Sequence, residues 1–138
     1  MNRTDLRQLA ELRIQEAELL LNNSFFAGAY YMAGYAIECA LKACIAKQTK
    51  RYDFPDKKLV KDVFTHNLQT LIKLAELEDP LIAKAKVSTD FADYWKVVKD
   101  WSEESRYRTL VAEQTARDLY RAITDRRNGV LSWLKKYW

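Results

Sequence analysis

The sequence predicts an all-α protein, an antiparallel bundle of four to five helices. Three observations predict it. Breakers are scarce: three Gly and two Pro in 138 residues, too few for the tight turns of a β-sandwich or barrel. Apolar residues recur at steps of three and four over long windows. Between those windows stand residues that cap and restart helices. A chain of this length buries roughly two-thirds of its unfolded surface, so it needs no disulfide or metal staple. It reads as one domain over residues 1–138.

Residues 4–22 read as the first helix. Leu6, Ala10, Ile14, Ala17 and Leu21 form one apolar stripe. Asn22-Asn23-Ser24 breaks it, with Ser24 as the expected N-cap of the next helix. That second helix, 25–48, carries Ala29, Ala33, Ala36, Ala40 and Ala43 within about 80° of one another. A strip of small side chains lets another helix approach closely. Tyr31, Tyr35, Glu38 and Lys42 lie on the opposite side. Their flanks are apolar, so the helix should be central, with Glu38 and Lys42 paired at i, i+4 in a buried or interfacial place.

Residues 49–64 form the longest irregular stretch and include Pro55. Thr65 then caps a short helix from His66 to Glu78, with Leu68, Leu71, Ile72 and Ala75 inward. Asp79-Pro80 reads as an N-cap followed by a proline at the first helical position. This helix pauses near Ser88-Thr89-Asp90 and resumes with Phe91, Tyr94, Trp95, Val98 and Trp101 on one face. Residues 102–112 read as a loop. A last helix spans 113–136, with Ala116, Leu119, Tyr120, Ile123, Val130 and Leu134 inward and Glu113, Arg117 and Arg121 outside.

The formal net charge of +4 is the remainder of larger local imbalances. Residues 47–61 and 117–136 are each net +4, and residues 62–105 are net −4. Two basic segments permit an anionic partner without requiring one. Cys39 and Cys44 point about 140° apart on a helix, so they do not easily pair. Free thiols among apolar neighbours suit a reducing cytoplasm. The charged start of the chain has no signal-peptide core. The most apolar run, Phe25 to Ile37, is too short to cross a bilayer, so no membrane association is expected.

Several chemistries are excluded by residue type. Gly28, Gly34 and Gly129 form no phosphate-binding glycine motif. His66 is the only histidine, so no zinc ligand set and no metal site is expected. No nucleophile elbow accompanies it, and no cofactor is implied. His66 reads either as a locally bonded residue next to its cap or as an acid–base or phosphate contact. The Tyr31, Tyr35, Glu38 and Lys42 face reads either as a buried ion pair with aromatic packing or as the polar floor of a ligand pocket. The Trp101-to-Tyr107 segment, with Arg106 and Arg108, reads as a core-edge aromatic with surface arginines or as a nucleotide contact.

Taken in order, these residues resemble the HEPN family, small helical domains named for nucleotide binding in prokaryotes and higher eukaryotes. The matching block on the second helix is Tyr31-x-x-Gly34-Tyr35-Ala36-Ile37-Glu38-x-x-Leu41-Lys42-Ala43. Thr65-His66-Asn67-Leu68 follows, then Trp101 and Arg106-Tyr107, then Gly129-Val130-Leu131-x-Trp133-Leu134-Lys135. The resemblance implies a homodimer that works with RNA or nucleotides, often as a toxin–antitoxin component beside a separate nucleotidyltransferase. The residues' own chemistry makes Tyr31, Tyr35, Glu38, Lys42 and Tyr107 the candidate ligand contacts. Many family members are metal-independent RNases with an Arg-x4-6-His motif. This sequence departs from that motif, because Lys61 rather than arginine stands upstream of His66, and a lysine does not grip phosphate bidentately. Whether the chain is an enzyme is therefore left open. If it is, His66 would be the acid or base, with Arg106 or Lys42 stabilising charge. The third reading is a helical interaction module without chemistry.

Overall fold

The computed structural model describes residues 1–51 and 62–138. Among these residues there is no strand. α1 (Arg3–Asn22) and α2 (Phe26–Arg51) form an antiparallel hairpin. α3 (Leu68–Leu74), α4 (Glu78–Val87) and α5 (Thr89–Lys99) follow. A 3-10 turn (Glu103–Tyr107) leads into α6 (Glu113–Thr124) and α7 (Val130–Leu134). α2 packs against α1, α3, the 3-10 turn, α6 and α7, and so forms the axis of the bundle.

The alanine strip explains that central place. Ala33, Ala36, Ala40 and Ala43 are buried on α2, and Ala10 and Ala17 are fully buried on α1. Short side chains on both helices bring the backbones close and leave the larger Ile37, Leu41, Leu119, Ile123 and Leu134 to fill the remaining core. Phe91 meets Trp133 at 5.2 Å between ring centres, which joins α5 to α7.

The local chemistry corrects several expected boundaries. Ser24 does not cap α2. It adopts φ 65° and closes α1: its N–H donates to the Leu21 carbonyl and the Phe25 N–H to the Leu20 carbonyl. This is a Schellman ending. The same pattern closes α3, with Glu76 at φ 56° and the Leu77 N–H on the Ile72 carbonyl. That closure starts α4 at Glu78, so Pro80 sits inside its first turn and Asp79 is no cap.

Ser88 separates α4 from α5 completely. Its backbone is extended, its Oγ accepts from the Phe91 N–H, and its hydroxyl reaches Asn128 at 2.8 Å. The expected helix over 113–136 is two helices. The Asp125 carbonyl accepts from Gly129 N–H and Ser132 Oγ, and the Asp125 carboxylate accepts from the Asn128 N–H. These bonds replace a helical turn with a local one. Tyr120 is half-buried, whereas Ala116, Leu119, Ile123, Val130 and Leu134 are inward as expected. The 102–112 segment holds the short 3-10 turn, capped by Ser102 Oγ on the Glu104 N–H. α2 runs three residues beyond its expected end at 48. Most of the expected irregular stretch, with Pro55, Lys57, Lys58 and Lys61 of the first basic cluster, lies outside the described residues.

Candidate functional site

The site is built on one face of α2. Tyr31, Tyr35, Glu38 and Lys42 succeed one another at steps of four, three and four, so they stack along that face. Tyr31 and Tyr35 are 5.9 Å apart between ring centres, and Tyr31 lies 6.1 Å from Trp101 in near-parallel stacking. Gly34 makes room for Trp101. A Cβ there would come within 2.2 Å of the indole. Trp101 is 3% exposed, so it is a core residue and offers no face to a nucleotide base. Its Nε1 has no hydrogen-bond partner among the described residues.

Glu38 is the buried centre of the face, 2% exposed. Such a carboxylate persists only where cations and donors meet it. One oxygen receives Lys42 Nζ at 3.4 Å, and the other meets His66 Nδ1 at 2.8 Å. His66 reaches it because it precedes the α3 cap instead of following it. Asn67, not Thr65, caps α3: Asn67 Oδ1 accepts from the Thr70 N–H at 2.9 Å, and Thr65 Oγ1 in turn accepts from the Asn67 N–H. His66 is thus free of the helix, and its ring points at α2.

The other ring nitrogen, Nε2, lies 3.3 Å from Glu103. The second Glu103 oxygen pairs with Arg106 at 2.8 Å across the 3-10 turn. Arg106 donates to the Tyr107 hydroxyl at 2.6 Å. That bond, more than the nearby Glu103 charge, raises the pKa of a guanidinium that is cationic in any case. Two carboxylates therefore alternate with three basic groups along Lys42, Glu38, His66, Glu103 and Arg106. Both contacts of the imidazole are hydrogen bonds only when the ring carries two protons, because each partner is an acceptor.

The cluster opens beside a cavity of about 630 Å³ between α1 and α2. Tyr35, Glu38 and Lys42 line one end of it, and Leu6, Leu9 and Ile45 line its apolar body. Arg13 of α1 sits 5.9 Å from the Tyr35 ring centre. Burial, then Cys39 and Glu38, push the Tyr35 hydroxyl above its ordinary pKa. Cys39, also on the cavity wall, is pushed up to about 11, chiefly by burial and next by Glu38. A thiol in that state is not a nucleophile at neutral pH.

Of the sequence-predicted site residues, Tyr31, Tyr35, Glu38, Lys42, His66 and Arg106 are thus brought to one place. Tyr107 is attached to it through Arg106 but is 72% exposed and turned outward. Glu103, which joins His66 to Arg106, was missed. It is one of four acidic or hydroxyl residues in a row in Ser102-Glu103-Glu104-Ser105, and its only signal was the Ser102 cap that places it at the start of a turn. Among the described residues no group of three or more His, Cys, Asp or Glu is placed to hold a metal ion, and no helix is long and apolar enough to cross a membrane.

No curated protein and no solved structure matches the chain. The HEPN domain family model matches residues 4–137. With that match over nearly the whole sequence, and an all-α bundle around the α2 face, the chain belongs to the HEPN family.

Proposed function

We propose that the chain is a nucleotide- or RNA-binding protein whose ligand docks over the Lys42–Glu38–His66–Glu103–Arg106 cluster. The observation that carries this reading is the half-exposed pair His66 and Arg106, with side-chain exposures of 44% and 46%: His66 rests on the buried Glu38, and Glu103 joins it to Arg106. Donor side chains already held in place by protein contacts lose little further freedom on meeting a phosphate. Tyr107 offers an exposed ring beside them for base stacking. The test is fluorescence anisotropy with a labelled oligoribonucleotide. Binding should weaken steeply with salt and weaken further in Arg106→Ala. Absence of binding at low salt would sink the reading.

A second reading, metal-independent RNA cleavage, is favoured by the bridge that Glu103 makes between His66 and Arg106. His66 would move a proton on the ribose or the leaving oxygen, and Arg106 or Lys42 would stabilise the charged phosphate. Cleavage measured in chelator should then fall by about a hundredfold or more in His66→Ala. Equal rates would remove His66 from any mechanism.

Family membership also supports a homodimer working beside a nucleotidyltransferase as a toxin–antitoxin component in the cytoplasm. The exposed Leu12 and Leu19, seven residues apart on α1, offer an apolar seam for self-association, and two buried free thiols fit a reducing compartment. Light scattering would show twice the chain mass, and Leu12→Glu with Leu19→Glu would return it to one.

A further inference from the structure

The Glu103 carboxylate is held differently from that of Glu38. Glu38 lies in the middle of a long helix with its side chain 3% exposed, whereas Glu103 begins a five-residue 3-10 turn with its side chain 22% exposed. Among the described residues the Glu103 oxygens have two partners: His66 Nε2 takes one and Arg106 takes the other. These donors come from separate segments, and both are partly open to solvent. A pair of oxygens shared between a guanidinium and an imidazole is also how two non-bridging oxygens of a phosphate are gripped.

We propose that Glu103 occupies a phosphate subsite formed by His66 and Arg106, and that a phosphate group of the ligand displaces it. The inference rests on the nucleotide- or RNA-binding reading and deepens it. Displacement by a phosphodiester exchanges one negative charge for another beside His66 and Arg106, and only the Glu103 side chain turns toward water, because the 3-10 turn that carries it also carries Arg106. Glu38 and Lys42 do not move in this exchange, because Glu38 keeps His66 aimed at the subsite from below. Glu103 therefore competes with ligand, and its charge sets a threshold that weak or single-contact anions do not pass.

The experiment uses the intact chain, 5′-phosphorylated oligouridylate and inorganic phosphate as probes. His66 is the sole histidine, so its ring proton signals report occupancy of the subsite directly in NMR titrations. Glu103→Gln should bind both probes about tenfold tighter than wild type, since a like charge is removed from the site. Arg106→Ala in the Glu103→Gln background should erase that gain. Glu103→Ser serves as a second variant if the glutamine substitution perturbs the turn, and unchanged circular dichroism melting establishes that each variant is folded. If wild type binds the oligonucleotide but neither Glu103 variant binds more tightly, the subsite is wrong and the binding reading stands. If neither wild type nor the Glu103 variants bind at low salt, both fall.

Discussion

Glu38 and His66 meet at 2.8 Å across 28 residues of sequence, one 2% exposed in the middle of α2 and the other on the segment leading into α3. The contact fastens the start of α3 to the bundle axis. Glu38→Ala should therefore lower stability by about 2–3 kcal/mol. That is the range for lost charge-assisted hydrogen bonds and not for a stranded buried ion, because His66 and Lys42 can turn to solvent. Urea unfolding measures it. Glu38→Gln, which keeps the volume and one acceptor, should cost less.

Gly34→Ala should disturb Trp101. The added Cβ would stand 2.2 Å from the indole, far inside contact distance, so the ring must leave its place over α2. The expected cost is about 1–3 kcal/mol, the usual range for overpacking. A red shift of tryptophan emission together with a lower Tm is the expected pair of signals.

Glu76→Gly should stabilise the protein by roughly 0.5–1 kcal/mol. Glu76 holds φ 56° at the end of α3, a conformation that costs an L-residue with a Cβ and costs glycine almost nothing. Ser24→Gly at φ 65° should act in the same direction. Chemical denaturation should show a higher midpoint at an unchanged m-value, which reads as a gain in stability.

Alkaline pH should unfold the protein partly through its thiols. An unfolded thiol ionises near 9.0, whereas burial pushes Cys39 up to about 11 and Cys44 up to about 12. The folded chain keeps protons that the unfolded chain releases. Stability from these groups is thus complete below pH 9 and declines as pH rises through 11 and 12. Cys39→Ala should flatten the decline. In the native state at pH 8 both thiols should resist alkylation, and both should react once the chain is unfolded.

Much of the bundle was legible because helical periodicity is a local property. The stripe from Leu6 to Leu21 and the alanines from Ala29 to Ala43 name their own buried faces. Boundaries were less legible where two local bonding patterns compete. Asp125 follows a good helical stripe, yet its bonds with Asn128, Gly129 and Ser132 end one helix and begin another. Ser88 takes part in the same choice from a distant segment through Asn128.

The candidate site divides along the same line. The sequence by itself determined an all-α chain, a central α2 and the Tyr31–Tyr35–Glu38–Lys42 face, because each follows from spacing along helices, and the order of its motifs along the chain carried the resemblance to the HEPN family. Only the tertiary structure decided that His66 stands ahead of the α3 cap and meets Glu38, that Trp101 is core, and that Glu103 stands between His66 and Arg106. Those contacts join residues far apart in the chain. A buried carboxylate must find its cations wherever packing brings them, and no periodicity records where that is.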